Sequence, residues 1–280
     1  MAHTLTPPGG WPRITIVTPS FNQGWALERC LRSVLAQGYP NLQYIVMDGG
    51  STDESVGIIH RYADRLAHWR SGPDGGQSAA IADGMALADG SVVGYLNSDD
   101  VLEPGSLDTV GRAFAEGAAW VIGWSRLVDE HDGELMRRST LPVKLPDLVR
   151  HRYVIPQEAT FISRALYDAS GGIDRGYRYA MDAHLWMRLM SLAEPTWVQR
   201  YLGCFRVHSD QKTMHMDRYW AEFNRAINEL HTWRSARALP RLGSGCPAAW
   251  FTLRKFLHYL RHTGASNLYM IRRFRIQFRT

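Results

Sequence analysis

Short apolar runs alternate with amphipathic segments along the first hundred residues. Runs rich in β-branched and aromatic residues predict four strands, at 13–18, 42–47, 68–71 and 92–96. Segments with apolar residues on one helical stripe predict three helices, at 25–36, from a cap at 51–53 to about 62, and at 77–88. Strands that alternate with helices at this spacing form βαβ units, so the pattern predicts an α/β fold with a largely parallel sheet.

The pattern changes after Pro104. Two predicted strands, at 120–128 and 134–138, flank a hairpin-like turn, and two more strands are predicted at 160–163 and 196–202. Helices are predicted at 145–151 and 181–192, and the pattern is mostly helical from about residue 217. We therefore expect an α/β domain over residues 1–215, followed by a helical extension over residues 216–280.

Carboxylates and small residues directly follow two of the predicted strands. Asp48 ends the second strand, and the pair Asp99-Asp100 follows the fourth. Because parallel strands present their carboxyl ends at one edge of a sheet, we expect these carboxylates on one rim. Such a rim suits a hard divalent cation and the hydroxyls of a ribose, and it does not suit a bare anion. The sequence therefore points to a metal-bridged nucleotide.

The net charge of +5 hides an asymmetry between the two parts of the chain. No acidic residue follows Glu229, whereas ten basic residues do, so the first 229 residues carry a net charge of −5. The segment 250–261 interleaves aromatic and basic side chains, and Phe274 and Phe278 continue the pattern. This pattern suits a helix on an anionic membrane surface. A helix packed on the domain, with its charges in water, explains it equally well.

Neither a signal peptide nor a membrane span is expected. The N-terminus lacks a charged region followed by an apolar core, and no apolar run reaches about eighteen residues. The three cysteines are far apart and form neither a disulfide framework nor a zinc site. These features predict a cytoplasmic protein, either free or peripheral on the inner face of the membrane. An acidic body without a nucleic-acid motif argues against a nucleic-acid partner.

Four motifs, in order and in register, resemble those of the family 2 glycosyltransferases. They lie at 16–22 (IVTPSFN), 48–53 (DGGSTD), 97–100 (NSDD) and 179–186 (YAMDAHLW). The resemblance covers roughly residues 13–210. It implies a GT-A fold with two abutting Rossmann-like halves and a mostly parallel central sheet. It also implies an inverting enzyme that uses nucleotide-sugar donors and a divalent cation, Mn²⁺ or Mg²⁺.

The resemblance also implies roles for particular residues. The residues carried over are Thr18, Pro19 and Phe21 for the base pocket, Asp48 for base or ribose, Asp74 near the base, Asp99 and Asp100 for ribose and metal, and Asp182 as the general base. A general base is needed because the acceptor hydroxyl must lose its proton as it attacks.

Two positions depart from the family pattern. Gly49 stands where many relatives have a second carboxylate, and Asn97 stands where many have the first Asp of a D-x-D motif. Family members vary at both places, so we interpret the departures as subfamily differences. The Asn leaves open whether Asp99 or Asp100 contacts the metal directly.

Several residues outside the acidic motifs are further candidates. His208 follows a predicted strand and could reach the diphosphate or the metal, so it joins the metal set. Arg206 or Lys212 could meet phosphate, although an exposed charge explains either one equally well. Glu158, on the expected acceptor side, is the second choice for the base.

Simpler structural explanations compete at other positions. Asp53 opens a helix, and capping explains it. Asp182 also stands at a helix start, where an Asp cap is common. His184 is expected to be a packed or surface residue, and Trp120 and Trp124 are expected in the core rather than as sugar platforms.

The expected function is transfer of a sugar from a UDP-, GDP- or dTDP-sugar to a hydroxyl acceptor, with inversion. The acceptor could be a lipid-linked glycan in cell-surface polysaccharide or glycolipid synthesis. Two alternatives stay open, namely a non-catalytic protein that binds a nucleotide or glycan and a sugar-1-phosphate nucleotidyltransferase. The second would need a glycine-rich loop after the first strand and a phosphate-binding lysine. Residues 18–22 instead have the sequence TPSFN, and the chain contains three lysines.

Overall fold

The computed structural model of the chain describes residues 6, 7, 9–151, 153–209, 211, 212, 215–243, 245 and 247–263, without the side chains of 259, 260 and 263. The strands in this part of the chain are β1 (Ile14–Ser20), β2 (Leu42–Asp48), β3 (His68–Ser71), β4 (Val92–Tyr95), β5 (Val101–Leu102), β6 (Trp120–Val128), β7 (Glu134–Arg138), β8 (Thr160–Ser163) and β9 (Thr196–Arg206). The helices are α1 (Gly24–Leu35), α2 (Ser55–Tyr62), α3 (Gln77–Ala86), α4 (Ser106–Ala115), α5 (Leu145–Val149), α6 (Arg164–Ser170), α7 (Met181–Leu192), α8 (Met216–Ala236) and α9 (Ala248–Thr263).

All of these strands belong to one mixed sheet, in the order β3-β2-β1-β4-β8-β6-β9-β5, with β7 paired to β6 outside this path. The pairs formed among β1, β2, β3 and β4 are parallel, and β6 pairs parallel with β9. β8 runs antiparallel between β4 and β6, and β5 and β7 are antiparallel to their partners. The predicted parallel sheet is therefore found in the first half of the chain, and the second half adds antiparallel strands.

Helices cover both faces of the sheet. Neighbouring residues of β1 face opposite layers: Ile16 belongs to the core under α1, α2 and α4, whereas Val17 belongs to the core that includes α3, α7 and α8. Trp120 is fully buried in the second core and stacks on Trp186, with 6.2 Å between ring centroids. Trp124, the middle residue of β6, was also expected in the core but is only half-buried; its ring meets those of Tyr201 and His262, with 5.3 Å and 5.4 Å between centroids.

Most predicted elements lie within about two residues of their expected ends. β7, β8 and α7 have the predicted bounds, whereas β9 continues beyond its predicted end to Arg206. α4 and α6 are absent from the predicted elements. In α4, Leu107, Val110 and Ala113 form a buried apolar face that a search for helical periodicity over this segment would find.

The predicted extension contains two helices with different surroundings. α8 buries Phe223, Ala226 and Leu230 in the same core as α7. α9 buries Phe251 and leaves other large apolar side chains exposed. Within the described ranges, none of the helices combines the length and the apolar composition that a membrane span requires. The predicted domain boundary at residue 215 stays a prediction. α8, which follows this boundary, packs into the core formed by residues that precede it.

Candidate active site

The turn after β4 carries the acidic motif. The Asp100 N–H donates to the Asn97 carbonyl at 3.0 Å, which closes a tight turn. Asp100 is 1% exposed, and its carboxylate accepts a hydrogen bond from the Arg206 N–H at 2.9 Å. Burial raises the pKa of Asp100 well above its ordinary value, and the neighbouring Asp99 and Glu158 add to the shift. The turn therefore concentrates negative charge that a bound cation would stabilise.

Asp99 is the more accessible carboxylate of the pair. Its side chain is 13% exposed, and its Oδ2 lies 2.9 Å from Nε2 of His208. The His208 ring meets Trp25 edge to face, with 5.2 Å between ring centroids. The structure thus brings together Asp99 and His208, two members of the predicted metal set. The third member, Asp100, is buried more deeply, and its carboxylate accepts a hydrogen bond from the backbone of β9.

The donor set at this turn fits a divalent cation. Carboxylate oxygen suits Mg²⁺ and Mn²⁺, and the imidazole of His208 is a further donor that transition metals accept. Among the described residues, the group of three whose ligand atoms all lie within 4.8 Å of one another is a different one: Asp174, His184 and Glu229. The metal-binding role of the acidic turn therefore stays a prediction that its chemistry supports.

Arg206 corrects one expectation. We expected either a phosphate ligand or an exposed charge, but Arg206 is 1% exposed. Its guanidinium donates to the Asp99 carbonyl at 3.0 Å, to the Asp129 carbonyl at 2.8 Å and to Asp132 Oδ1 at 2.6 Å. The reason is that β9 lies between β5 and β6 in the sheet, so its last residue reaches both the acidic turn and the β6–β7 turn. Arg206 therefore ties two turns of the protein together.

Asp48 ends β2 and is fully buried. Its carboxylate accepts hydrogen bonds from Gly50 N at 3.1 Å, Ser51 N at 2.9 Å, Ser51 Oγ at 2.5 Å and Ser71 Oγ at 2.6 Å. These bonds fold the following loop back onto the strand, as expected for Asp in a turn. The carboxylate shapes the rim, and its contact with a base or ribose stays a prediction.

Phe21, predicted to line the base pocket, and Asp74, predicted to lie near the base, flank Gly49. A Cβ added at Gly49 would lie 3.2 Å from Asp74 Oδ2 and 3.3 Å from Cδ2 of Phe21. Asp74 and Phe21 therefore border the position where many relatives have a second carboxylate. Phe21 is 60% exposed, so one aromatic side chain is open to solvent on this rim.

Thr18 and Pro19 lie deeper than the predicted base pocket. Both residues are buried in β1. The Thr18 hydroxyl lies 3.0 Å from the Tyr44 hydroxyl and 3.8 Å from Cys30 Sγ. The reason is the alternation of side chains along β1, which directs Thr18 into the layer where Cys30 and Tyr44 pack. Of the three residues predicted to line the base pocket, Phe21 is the one that the structure leaves on the surface.

Asp182 is the second residue of α7, and it remains partly accessible. Its Oδ1 accepts a hydrogen bond from the Ala183 N–H at 2.7 Å. Burial raises the pKa of the Asp182 carboxyl to about 6; Glu158 adds to this shift, whereas Lys212 opposes it. A carboxyl with this pKa is ionised at neutral pH and is a stronger base than an ordinary aspartate.

A small cavity of about 20 Å³ adjoins Asp182. Its walls come from α5, from the segment that follows it, and from α7 and α8. Most of them are apolar or aromatic, among them Tyr153, Trp186, Tyr219 and Phe223.

Lys212 lies among the charged groups of the site. Its Nζ donates to Gln77 Oε1 at 2.5 Å and to the Arg178 carbonyl at 3.1 Å. Burial lowers the pKa of Lys212 to about 8, and the negative charges of Glu222, Asp182 and Asp99 counteract part of this shift. The ammonium group therefore lies within the electrostatic reach of both the acidic turn and the start of α7.

Glu158, the second choice for the base, is already engaged in the protein interior. It is 2% exposed, lies 2.9 Å from the Arg138 guanidinium and accepts a hydrogen bond from the Ser125 hydroxyl. A buried carboxylate in such an ion pair is held in one geometry. Asp182 is thus the more accessible of the two carboxylates.

Three glutamines around the acidic turn are missing from the predicted site. Gln23 donates to Asp99 Oδ2 at 3.4 Å, Gln77 donates to Asn97 Oδ1 at 2.6 Å, and Gln157 accepts from Asn97 Nδ2 at 3.1 Å. Each one stands immediately before or at the start of a helical segment. This position beside a helix start is the signal that the sequence offers for the three glutamines. It does not predict that three segments far apart in the chain contact the same turn.

Asp53 and His184 have the structural roles that the sequence predicted, namely helix capping and packing. Asp53 accepts hydrogen bonds from Gly24 N at 2.8 Å and from Ser55 N at 3.0 Å, so it fastens the starts of α1 and α2. His184 is 5% exposed and stacks on Tyr177, with 4.2 Å between ring centroids. Burial lowers the pKa of His184 to about 4, so it is a neutral, packed residue.

Comparison with known proteins identifies relatives of this chain. The family model described as Glycosyl transferase family 2 matches residues 15–173. An uncharacterized glycosyltransferase of Mycobacterium tuberculosis is 31% identical over 196 residues, which cover 67% of this chain and 72% of that protein. The GalNAc(5)-diNAcBac-PP-undecaprenol β-1,3-glucosyltransferase of Campylobacter jejuni is 28% identical over 134 residues, which cover 45% of this chain and 41% of that protein.

A solved structure has a similar fold. The mannosyltransferase PcManGT of Pyrobaculum calidifontis, in complex with GDP-Man and Mn²⁺, matches with a TM-score of 0.56 and 16% identity. The match covers 94% of this chain and 73% of that chain. At this identity the likeness concerns the fold alone. Together with the family match, it confirms the predicted GT-A-type α/β fold.

Proposed function

Because the chain belongs to glycosyl transferase family 2, we propose that it transfers a sugar from a nucleoside diphosphate sugar to an acceptor hydroxyl, with inversion at the anomeric carbon. The observation that carries this proposal is the partly accessible Asp182, whose raised pKa of about 6 suits a base, with Lys212 in electrostatic reach of both Asp182 and Asp99. One basic carboxylate is what a single displacement requires. The comparisons favour neither a nucleotidyltransferase nor a non-catalytic binding protein.

In the proposed reaction, Asp182 takes the proton of the acceptor hydroxyl while the hydroxyl oxygen attacks the anomeric carbon. The bond from that carbon to the diphosphate breaks, and the nucleoside diphosphate leaves with the electron pair. Attack from the face opposite the leaving group inverts the anomeric centre. A positioned base of this kind contributes about 10² to 10⁴ in rate.

A divalent cation, Mn²⁺ or Mg²⁺, is the proposed cofactor. When bound, it neutralises charge that develops on the diphosphate. Asp99 and His208 would hold it, since they are the adjacent pair with an accessible carboxylate. Asp100 would support the turn from behind, because its carboxylate is bonded to the Arg206 N–H. The Mn²⁺ and GDP-Man in the similarly folded PcManGT support this choice.

The nucleotide is proposed to lie along the rim formed by β1, β2 and the acidic turn. The exposed Phe21 offers an aromatic face to the base, and Asp74 lies beside it. Asp48 would act through the loop that it folds. Lys212 would meet the diphosphate, because its ammonium group lies between the acidic turn and α7.

A donor panel tests the proposed reaction. UDP-, GDP- and dTDP-hexoses are incubated with the protein and Mn²⁺, and released nucleoside diphosphate is measured. We expect release from at least one donor and loss of release in excess chelator. Asp99→Ala should abolish metal-dependent nucleotide binding, whereas Asp64→Ala, at an exposed carboxylate remote from the turn, should not. An Asp99→Ala protein that still binds nucleotide only with metal would contradict the assignment.

The acceptor is proposed to be a lipid-linked glycan, reached from a membrane surface. The name of the Campylobacter jejuni relative includes an undecaprenol-linked glycan, which supports this choice. Nine large apolar side chains are exposed in the described part of the chain, and four of them lie on α9: Trp250 (55%), Leu253 (46%), Phe256 (44%) and Leu257 (53%). Arg261 is exposed on the same helix, whereas Arg254 donates to the Pro142 carbonyl and the Lys255 ammonium group lies 5.9 Å from the centre of the Tyr153 ring. An apolar surface on a basic helix suits an anionic bilayer.

The structure modifies the predicted membrane surface. Phe251, expected among the lipid-facing aromatics, is 4% exposed and packs into the core instead, because α9 folds back on the body. The side chain of Tyr259 and the residues Phe274 and Phe278 lie outside the described residues. The proposed contact therefore uses the outer face of α9, with Trp250 and Leu257 at its centre.

Co-sedimentation with vesicles tests the membrane contact. We expect binding to anionic vesicles at low salt, weaker binding at high salt and little binding to neutral vesicles, since each basic residue near the surface contributes about 1 kcal/mol. The double variant Trp250→Ser with Leu257→Ser should lose most of the binding. Leu87→Ser, at a similarly exposed leucine elsewhere, is the control. Binding that is absent or insensitive to salt would contradict the proposal.

A further inference from the structure

Four charged side chains form one stripe along α8. Arg218, Glu222, Arg225 and Glu229 are spaced by four, three and four residues, which places them on one face of a helix. Every one of them bonds to the segment 176–180, which directly precedes α7. We call these four residues the α8 clamp.

Glu222 makes the central contacts of the α8 clamp. Its carboxylate accepts hydrogen bonds from the backbone N–H groups of Arg178 at 3.0 Å, Tyr179 at 2.7 Å and Ala180 at 2.9 Å. Ala180 is the residue before α7, and its own side chain provides no cap. A carboxylate from another helix thus satisfies the N–H group of the N-cap residue and those of the two residues before it, close to a helix start where negative charge is favourable.

The other members of the α8 clamp form hydrogen bonds with two tyrosine hydroxyls and one backbone carbonyl of the same segment. Arg218 donates to the Tyr179 hydroxyl at 2.9 Å, and Arg225 donates to the Gly176 carbonyl at 2.7 Å. Glu229 accepts from the Tyr177 hydroxyl at 2.8 Å, and the Arg225 guanidinium lies 4.0 Å from the centre of the Tyr177 ring. The segment is therefore bonded to α8 along most of its length.

α8 is a firm support for these contacts. Its next stripe, Phe223, Ala226 and Leu230, is buried in the core. Because this packing fixes the backbone of α8, its charged side chains lose little conformational entropy when they form hydrogen bonds. The bonds therefore hold the segment 176–180 in one position.

We propose that Glu222 is a positioning residue for Asp182, and that the C-terminal extension thereby takes part in the proposed reaction. The proposal rests on the proposed function, in which Asp182 is the base. Glu222 binds the backbone of Ala180, two residues before Asp182, and it makes no contact with Asp182 itself in the bonds described. A displacement of about 1 Å at a reacting group can lower a rate about a hundredfold. Removing the Glu222 carboxylate frees the three N–H groups that fix this approach to α7.

Three variants test the positioning role. Glu222→Ala should lower kcat for release of nucleoside diphosphate, measured at saturating donor, about tenfold. The donor KM should rise as well, because Lys212 donates to the Arg178 carbonyl in the segment that Glu222 holds. Glu222→Gln keeps one acceptor oxygen, so its kcat should recover to within about threefold of the unaltered protein. Asn228→Ala, at an exposed position of the same helix, is the control and should leave both constants unchanged.

A double-mutant cycle separates positioning from general damage. In an Asp182→Asn background the base is already absent, so Glu222→Ala should cost less than about twofold. Equal losses in both backgrounds, or a Glu222→Ala protein with unaltered kcat, would overturn the positioning role and leave the proposed function standing. A full kcat for Asp182→Asn alone would instead overturn the base assignment of the proposed function.

Discussion

α8 and α9 follow one another in the same basic extension, but they place their apolar residues in opposite surroundings. α8 buries Phe223, Ala226 and Leu230 and holds the approach to α7. α9 buries Phe251 and exposes Trp250 on its outer face. Aromatic content did not distinguish the two helices, because each of them contains four aromatic residues. Their charges differ, since α8 has three basic and three acidic residues whereas α9 has three basic residues and no acidic one. Whether the apolar stripe of each helix faces the core or the solvent depends on the rest of the fold.

Among the substitutions that test the contrast between α8 and α9, one in the buried stripe of α8 should change the free energy of unfolding most. Phe223→Ala removes an aromatic side chain that is 3% exposed, so the free energy of unfolding should fall by about 3 to 5 kcal/mol. Chemical denaturation measures this change. Asn224→Ala, at the neighbouring exposed position, should change the same quantity by about 0.5 kcal/mol or less. Equal effects of the two substitutions would show that α8 is not part of the core.

The pH dependence of kcat/KM should reflect groups beside α8 rather than α9. Asp182 must be ionised to accept a proton, and its pKa is about 6, so kcat/KM should fall about tenfold per pH unit below that value. Lys212 has a pKa of about 8 and should lose its charge, and with it part of the donor affinity, above that value. Burial sets both pKa values, with Glu158 raising that of Asp182 and Arg178 lowering that of Lys212.

Lys212→Arg is the matched variant for the alkaline side of this profile. Arginine stays protonated throughout the range, so the decline above about pH 8 should disappear. A profile that keeps the same decline in this variant would exclude Lys212 as its cause. A profile that is flat between pH 5 and pH 7 would contradict the role of Asp182.

The smallest effect is expected on the outer face of α9. Leu253→Ser alters a side chain that is 46% exposed, so the free energy of unfolding should change by about 0.5 kcal/mol or less. Chemical denaturation in the absence of vesicles measures it. A loss of 2 kcal/mol or more would mean that this face packs against the protein, and the contrast between α8 and α9 would fail.

Much of the fold and part of the site could be predicted from local sequence. The alternation of strands and helices predicted β1 to β4 and α1 to α3, because β1, β2 and β4 are short apolar runs that are buried on both faces, and α1 and α2 bury one apolar stripe. The position of Asp99 at a strand end predicted its place on the rim, where it meets His208. Both predictions depend on a few consecutive residues and on the general geometry of parallel sheets.

The remaining features depend on contacts between distant segments. Arg206 is buried because β9 lies between two strands whose turns need donors, and nothing near Arg206 in the sequence indicates this. Glu222 binds the backbone of Ala180, the residue before α7, more than forty residues earlier in the chain. Asp48 and Thr18 carry the expected motifs but turn inward, since the alternation of a strand alone does not say which face binds a ligand.

Turnover and donor binding of Asp182→Asn, measured with Mn²⁺ on the same preparation, test the central claim most directly. The substitution removes the basic oxygen and keeps the shape of the side chain. We predict that release of nucleoside diphosphate falls at least about a hundredfold while donor affinity stays within about twofold. Turnover equal to that of the unaltered protein would contradict the claim, remove Asp182 from the mechanism and make Glu158 the next candidate for the base.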